Sequence, residues 1–175
     1  EMLIGTRFAD TLQVHEVKVP GGARTQLTFF PDRVSGASYH PHTGDYFVFS
    51  KDIGGGEWYQ LFRYDCASGE TTLLTDGKSR NLGAVWSNRG DRLAYASTRR
   101  NRQDLDFYLM NPADKSSDRL LVQNPGGGWQ LARVVAPERP VPGVDGQLLL
   151  AHALLHLYSV RDAVAVRDDE RRPVP

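Results

Sequence analysis

With a single cysteine, Cys66, this chain has no possible intrachain disulfide framework. It also lacks a charge surplus: 21 Lys and Arg stand against 21 Asp and Glu. That balance argues against a dedicated nucleic-acid or anionic-membrane partner, each of which selects for a basic excess. No apolar run approaches the ~20 residues that span a bilayer as a helix. The longest, 148–157, is interrupted by His152 and His156. The N-terminus shows no charged, then apolar, then small-residue order, so no signal peptide is visible. A lone thiol is compatible with cytoplasm and periplasm alike, so the compartment stays open. Glu1 precedes Met2 in what reads as the middle of a structural unit, as expected of a piece of something longer.

What the chain does have is a repeat. Leu27-Thr28, Leu74-Thr75 and Leu121-Val122 follow one another at intervals of 47 residues. Between these marks the pattern recurs. Ser38-Tyr39-His40-Pro41 and Gly44 to Ser50 align with Val85-Trp86-Ser87-Asn88 and Gly90 to Ser97. Leu61 to Asp65 aligns with Phe107 to Asn111, and 13–19 takes the same place one unit earlier. A period in the forties with several short strand-like runs per unit predicts a β-propeller of four-stranded blades. Gly44-Asp45 and Gly90-Asp91 supply the positive φ of tight hairpins. Tyr46 to Phe49 is apolar on both faces, as expected of a strand sandwiched between blades. In the next unit Leu93, Tyr95 and Ser97 share one face, while Ala94 and Ala96 share the other. That small side suits a strand packed closely near a propeller axis.

The expected fold is therefore all-β: an incomplete propeller of about two and a half four-stranded blades. The count gives a partial blade over 3–26, a full one over 27–73 and a near-full one over 74–122. The composition changes near Trp129. Residues 130–175 hold one of the 17 aromatics and no lysine, which sets a boundary there. The domain reading is 1–129 as partial propeller and 130–175 as a non-propeller tail, irregular or weakly helical, out of frame or disordered.

The units resemble the N-terminal propeller of the prolyl oligopeptidase family of serine peptidases, with its dipeptidyl aminopeptidase and acylaminoacyl peptidase branches. Gly21 to Phe30 looks like that family's blade junction. Trp86-Ser87-Asn88-Arg89-Gly90-Asp91 is similar to its tryptophan-serine-proline-aspartate-glycine hairpin, with Asn88 in the proline's place. The 97–111 segment resembles the strand pair that follows. TolB-type propellers share the same repeat. The resemblance implies a non-catalytic domain that gates substrate for a separate α/β-hydrolase domain. Its implied partners are a peptide substrate or that hydrolase domain. The Gly-x-Ser-x-Gly elbow such a catalyst needs is absent from the sequence. No catalytic residue and no cofactor is carried over. The alternatives are a TolB-type protein-binding module and a non-functional truncated product. Open blade edges add an expectation of self-association.

Five constellations remain. In 54–59, Trp58 and Tyr59 beside three glycines form a candidate recognition loop, or else begin a strand that packs between blades. Arg99 and Arg100, with Arg102, make a basic cluster in the equivalent loop of the next unit. It either holds a substrate carboxylate or forms a solvated hairpin tip. His40 and His42 could share a strand face, but the sequence names no third metal ligand. His152 and His156 have helical i, i+4 spacing without the glutamate of a zinc protease, since Ala153 stands there. Asp76-Gly77-Lys78-Ser79 ends like a phosphate loop, yet Thr72 stands where the first glycine belongs, which favours a connecting turn.

Overall fold

The protein was analysed as a computed structural model, which describes residues 1–7, 10–124, 129–131 and 157–159. All described regular structure is β. The first sheet holds β1 (Met2–Thr6), β2 (Gln13–Val17) and β3 (Arg24–Gln26) in that order. The second runs β4 (Val34–Tyr39), β5 (Tyr46–Lys51), β6 (Gln60–Asp65) and β7 (Thr71–Leu73). The third runs β8 (Asn81–Trp86), β9 (Leu93–Ser97), β10 (Asp106–Asn111) and β11 (Asp114–Val122). Within each sheet every strand pairs antiparallel with its chain neighbour. A last pair, β12 (Trp129–Leu131) and β13 (Leu157–Ser159), is also antiparallel. The two complete meanders and the three-stranded one are the blades expected from the repeat. The segment 74–122 holds all four strands of its blade. His152, His156 and 161–175 lie outside the described residues.

The uniformly apolar strands are explained by the two faces they bury. In β5, Phe47 and Phe49 face the first sheet, in a cluster with Val14 and Val34. Tyr46 and Val48 point the other way, with Leu61 of β6, into a cluster with Leu93, Tyr95 and Met110 of the third sheet. Alternation along a strand makes this split automatic. Each ring so buried stabilises the stack by roughly 1.5–3 kcal/mol. β9 repeats the arrangement. Leu93 and Tyr95 face the second sheet, while Ala94 and Ala96 join Phe107, Leu109 and Leu131 of β12. The small face thus accommodates large side chains from its neighbours, Phe107 and Leu131 among them. An isolated sheet would leave one such face wet, so stability belongs to the stack.

The hairpins and bulges carry the period too. Gly44 and Gly90 adopt φ of 68° and 70° in the β4–β5 and β8–β9 turns, as expected. Gly36 and Gly83, 47 positions apart, also have positive φ. They sit where the pairing of β4 with β5 and of β8 with β9 slips register. A bulge with a left-handed glycine adds twist to the first strand of each blade.

Candidate functional site

A meander sends alternate loops to opposite ends of its sheet. The β1–β2, β5–β6 and β9–β10 connections therefore share one end with the sheet-to-sheet connectors β3–β4 and β7–β8. All four candidate recognition residues are at this end.

Buried polar side chains fix the connectors there. Gln13 and Gln60 begin equivalent strands, and both are buried. The Gln13 amide donates to the carbonyls of Phe30 (2.9 Å) and Asp32 (3.2 Å) and accepts the Phe30 N–H at 3.0 Å. Gln60 Nε2 donates to the Ser79 carbonyl at 2.5 Å. Its Oε1 accepts from Thr75 Oγ1 at 2.7 Å and from the Gly77 N–H at 3.0 Å. Thr28 Oγ1 accepts the Val14 N–H at 2.9 Å and Thr75 Oγ1 the Leu61 N–H at 3.1 Å. This explains the recurring Leu-Thr pair: leucine enters the core and threonine closes the strand start. Asp106 takes the glutamine's place in the third sheet and accepts the Asn124 N–H at 2.8 Å. Buried polar groups held this way fix loops to a rigid scaffold.

The candidate recognition loop is built on this frame. β6 begins at Gln60, so Trp58 and Tyr59 remain in the loop. Trp58 is 41% exposed. Tyr59 is half-buried, and its carbonyl accepts from Asn81 N (3.1 Å) and Asn81 Nδ2 (2.9 Å). Gly54, Gly55 and Glu57 all have positive φ. Ile53 in the same loop and Phe29 in the β3–β4 connector are 44% and 76% exposed. Asp32 ties the two segments together: Oδ1 accepts the Gly54 N–H at 3.2 Å, and Oδ2 pairs with Lys51 Nζ at 3.2 Å.

Arg99 and Arg100 are already occupied. Arg99 Nη2 donates to Asp118 Oδ1 at 3.2 Å, its Nη1 bonds the other oxygen, and the guanidinium lies 3.5 Å over the Tyr108 ring. Tyr95 Oη donates to the same carboxylate at 2.9 and 3.0 Å. Burial, above all, pushes the Tyr95 hydroxyl far above its ordinary value, and Asp118 adds to it. Arg100 pairs with Asp104 at 3.0 Å and with the buried Asp106 at 2.5 Å. Arg102 is exposed at the loop tip.

The remaining candidates fall on turns. Asp76 Oδ1 accepts the N–H groups of Lys78 and Ser79 at 3.0 and 2.9 Å, and Oδ2 accepts from Ser79 Oγ. Burial works against ionisation, but these hydrogen bonds outweigh it and hold the Asp76 carboxyl below its ordinary value. His40 and His42 lie at the opposite end, with ring centroids 6.1 Å apart. His40 accepts the Thr43 N–H at 3.2 Å, while His42 turns to the third sheet. Among the described residues, no three His, Cys, Asp or Glu side chains are placed to hold a metal ion. Partial desolvation, with nearby carboxylates such as Glu16, raises the Cys66 thiol and leaves it unactivated.

The sequence reading missed a cleft of about 310 Å³ at the loop-bearing end, lined by Arg7, Asp10, Thr11, Leu12 and Arg33. Arg7, Asp10, Thr11 and Leu12 sit in a β1–β2 connection shorter than its β5–β6 counterpart and carry no repeat signature, whereas Arg33 recurs 47 positions on as Arg80.

No family model matches the chain, and no curated protein matches it. Solved structures do. A putative TolB from Agrobacterium tumefaciens superposes with a TM-score of 0.59 at 21% identity, over 75% of this chain and 46% of that one. TolB from Acinetobacter baumannii gives 0.52 at 20% identity, over 69% and 29%. An oligogalacturonate lyase in complex with manganese gives 0.53 at 16%, over 71% and 33%. The chain thus has a TolB-like propeller fold and spans less than half the length of each of these structures.

Proposed function

We propose that this chain is a non-catalytic propeller module that binds a peptide segment of a protein partner at its loop-bearing end. The observation that carries this reading is the placing of exposed Phe29, Ile53 and Trp58 on two loops anchored by Gln13 and Asp32. Large apolar side chains held in water by a rigid frame are the makings of a binding surface. The TolB-like fold supports a module of this kind. Selecting a random peptide library on the purified chain tests it. Enriched peptides should lose binding to Trp58→Ser and Ile53→Ser and keep it with Arg92→Gln at the other end. Enrichment that ignores Trp58 and Ile53 refutes the reading.

A second reading rests on the 86–95 hairpin and its likeness to the prolyl oligopeptidase propeller. Under it, the chain gates substrate for a hydrolase domain encoded further along. A downstream Gly-x-Ser-x-Gly elbow in the coding sequence decides for it. Both readings expect no serine-inhibitor-sensitive peptide hydrolysis from the 175 residues alone.

A further inference from the structure

We propose that the cleft formed by Arg7, Asp10, Thr11, Leu12 and Arg33 is a carboxylate-binding site, and that it takes an acidic side chain of the bound peptide. The second part rests on the peptide-binding reading above; the first does not.

The argument begins with which cations are spent. At this end Lys51 pairs with Asp32, Arg80 with Glu57, Arg99 with Asp118 and Arg100 with Asp104 and Asp106. Arg7 and Arg33 are exposed, and among the described residues neither has an ion pair. They are also the two arginines that line one cleft. Asp32, adjacent to Arg33 in sequence, does not neutralise it. Its two oxygens are committed to Lys51 Nζ and the Gly54 N–H. Asp10 supplies one carboxylate against two guanidinium groups, so the lining keeps a positive surplus.

The walls are fixed before any ligand arrives. The Leu12 carbonyl accepts the Val34 N–H at 2.9 Å, and the Arg33 carbonyl accepts the Asp52 N–H at 3.0 Å. Thr11 Oγ1 accepts from Gln13 Nε2 at 3.3 Å, and the same amide holds the Asp32 carbonyl. The connector bearing Arg33 is thus fastened to the β1–β2 connection on one side and to Asp52, just past β5, on the other. Ordering cost on binding is correspondingly reduced. A guanidinium presents paired N–H donors that match the two oxygens of a carboxylate. The volume, near the lower end of ligand pockets, suits a side-chain-sized group. Through Asp32 the cleft is joined to the loop bearing Ile53 and Trp58, so an acidic and apolar segment can engage both.

Calorimetry on the purified chain tests this with a capped six-residue peptide carrying two glutamates and one phenylalanine, its glutamine counterpart, sodium glutarate and inorganic phosphate. The acidic peptide is expected to bind about tenfold tighter than the amide one. The Arg7→Gln/Arg33→Gln variant should erase that ratio. Arg102→Gln, which removes an exposed arginine outside the cleft, should keep it. Asp10→Asn should tighten the acidic peptide about two- to fivefold by removing a like charge. Glutarate binding as tightly as the acidic peptide, with the same arginine dependence, supports the site but assigns it to a free small carboxylate. Equal affinity for the acidic and amide peptides overturns the cleft proposal while leaving a peptide-binding end intact. So does a ratio that survives loss of both arginines. Phosphate binding tighter than glutarate overturns the carboxylate assignment, and no binding by any probe overturns the site.

Discussion

His42 lies against Gly90. Its Nε2 is 2.5 Å from the Arg89 carbonyl oxygen, and a Cβ built on Gly90 would come within 2.7 Å of its Cδ2. The carbonyl can only accept, so His42 Nε2 is the donor. The β4–β5 turn of one blade is thereby seated in the β8–β9 turn of the next. Gly90 is required there for its φ of 70° and for the space it leaves. Gly44 has a φ of 68° but open space around it. Gly44→Ala should therefore cost about 1 kcal/mol from backbone strain alone. Gly90→Ala should cost at least about 2 kcal/mol, since the ring must also move. Urea midpoints of the two variants check the order; equal midpoints contradict the seating.

Gln60 offers a second test. Its amide satisfies the Ser79 carbonyl, the Thr75 hydroxyl, the Gly77 N–H and one Asn81 amide N–H, all in or beside one connector. Gln60→Leu keeps the volume but strands these groups in a dry site. The expected loss is about 2–4 kcal/mol, from one to two buried polar groups left unpaired. A loss below about 0.5 kcal/mol in chemical unfolding would show that the connector does not depend on this amide.

The Arg99–Asp118–Tyr95 group makes a third. Asp118→Asn leaves the half-buried Arg99 guanidinium without its charged partner. We expect a loss of about 1–3 kcal/mol and no change in affinity for an acidic peptide. A binding change without a stability change would return Arg99 to the role of ligand contact.

Acid stability follows from the depressed carboxyls. Ser68 hydrogen bonds, backbone first, hold Asp65 below its ordinary value, and Ser79 and Lys78 do so for Asp76. A depressed folded value means stability that is fully present above the unfolded value of about 3.9 and lost as pH falls through the folded one. The stability gap between the natural chain and Asp76→Asn should therefore be constant above about pH 5 and shrink below about pH 4. A gap that widens on acidification would reverse the sign.

The edge of the first sheet gives the fifth expectation. β1 is an edge strand in the described sheet, and Met2 on it is 54% exposed. Such edges pair with other edges. Sedimentation velocity should show concentration-dependent species above the 19.5 kDa monomer. A monomer at every concentration would contradict association through those edges.

Much of this architecture was legible because a propeller repeats its physics with its sequence. The 47-residue marks, the two Gly-Asp hairpins and the doubly apolar 46–49 run each report a requirement that recurs in every blade. The bulge glycines Gly36 and Gly83 were equally periodic and could have been found by the same alignment. The glutamine clamps were harder to see. Gln13 and Gln60 read as ordinary polar residues, and only the depth of burial shows what their amides do. The cleft was illegible for a different reason. Arg33 recurs as Arg80, but Arg7 belongs to a loop that the repeat does not constrain, so their convergence depends on sheet-to-sheet hydrogen bonds with no sequence pattern. Trp58 stood out by composition, but its exposure is settled by where β6 begins.

Amide chemical-shift mapping of the ¹⁵N-labelled chain during titration with the acidic and apolar hexapeptide tests the central claim most directly. Perturbations should cluster on Arg7, 10–12, 27–33 and 52–59, and leave the 40–45 and 87–92 turns unmoved. Shifts concentrated on those turns, or on the strand edges, would contradict a binding function at the loop-bearing end.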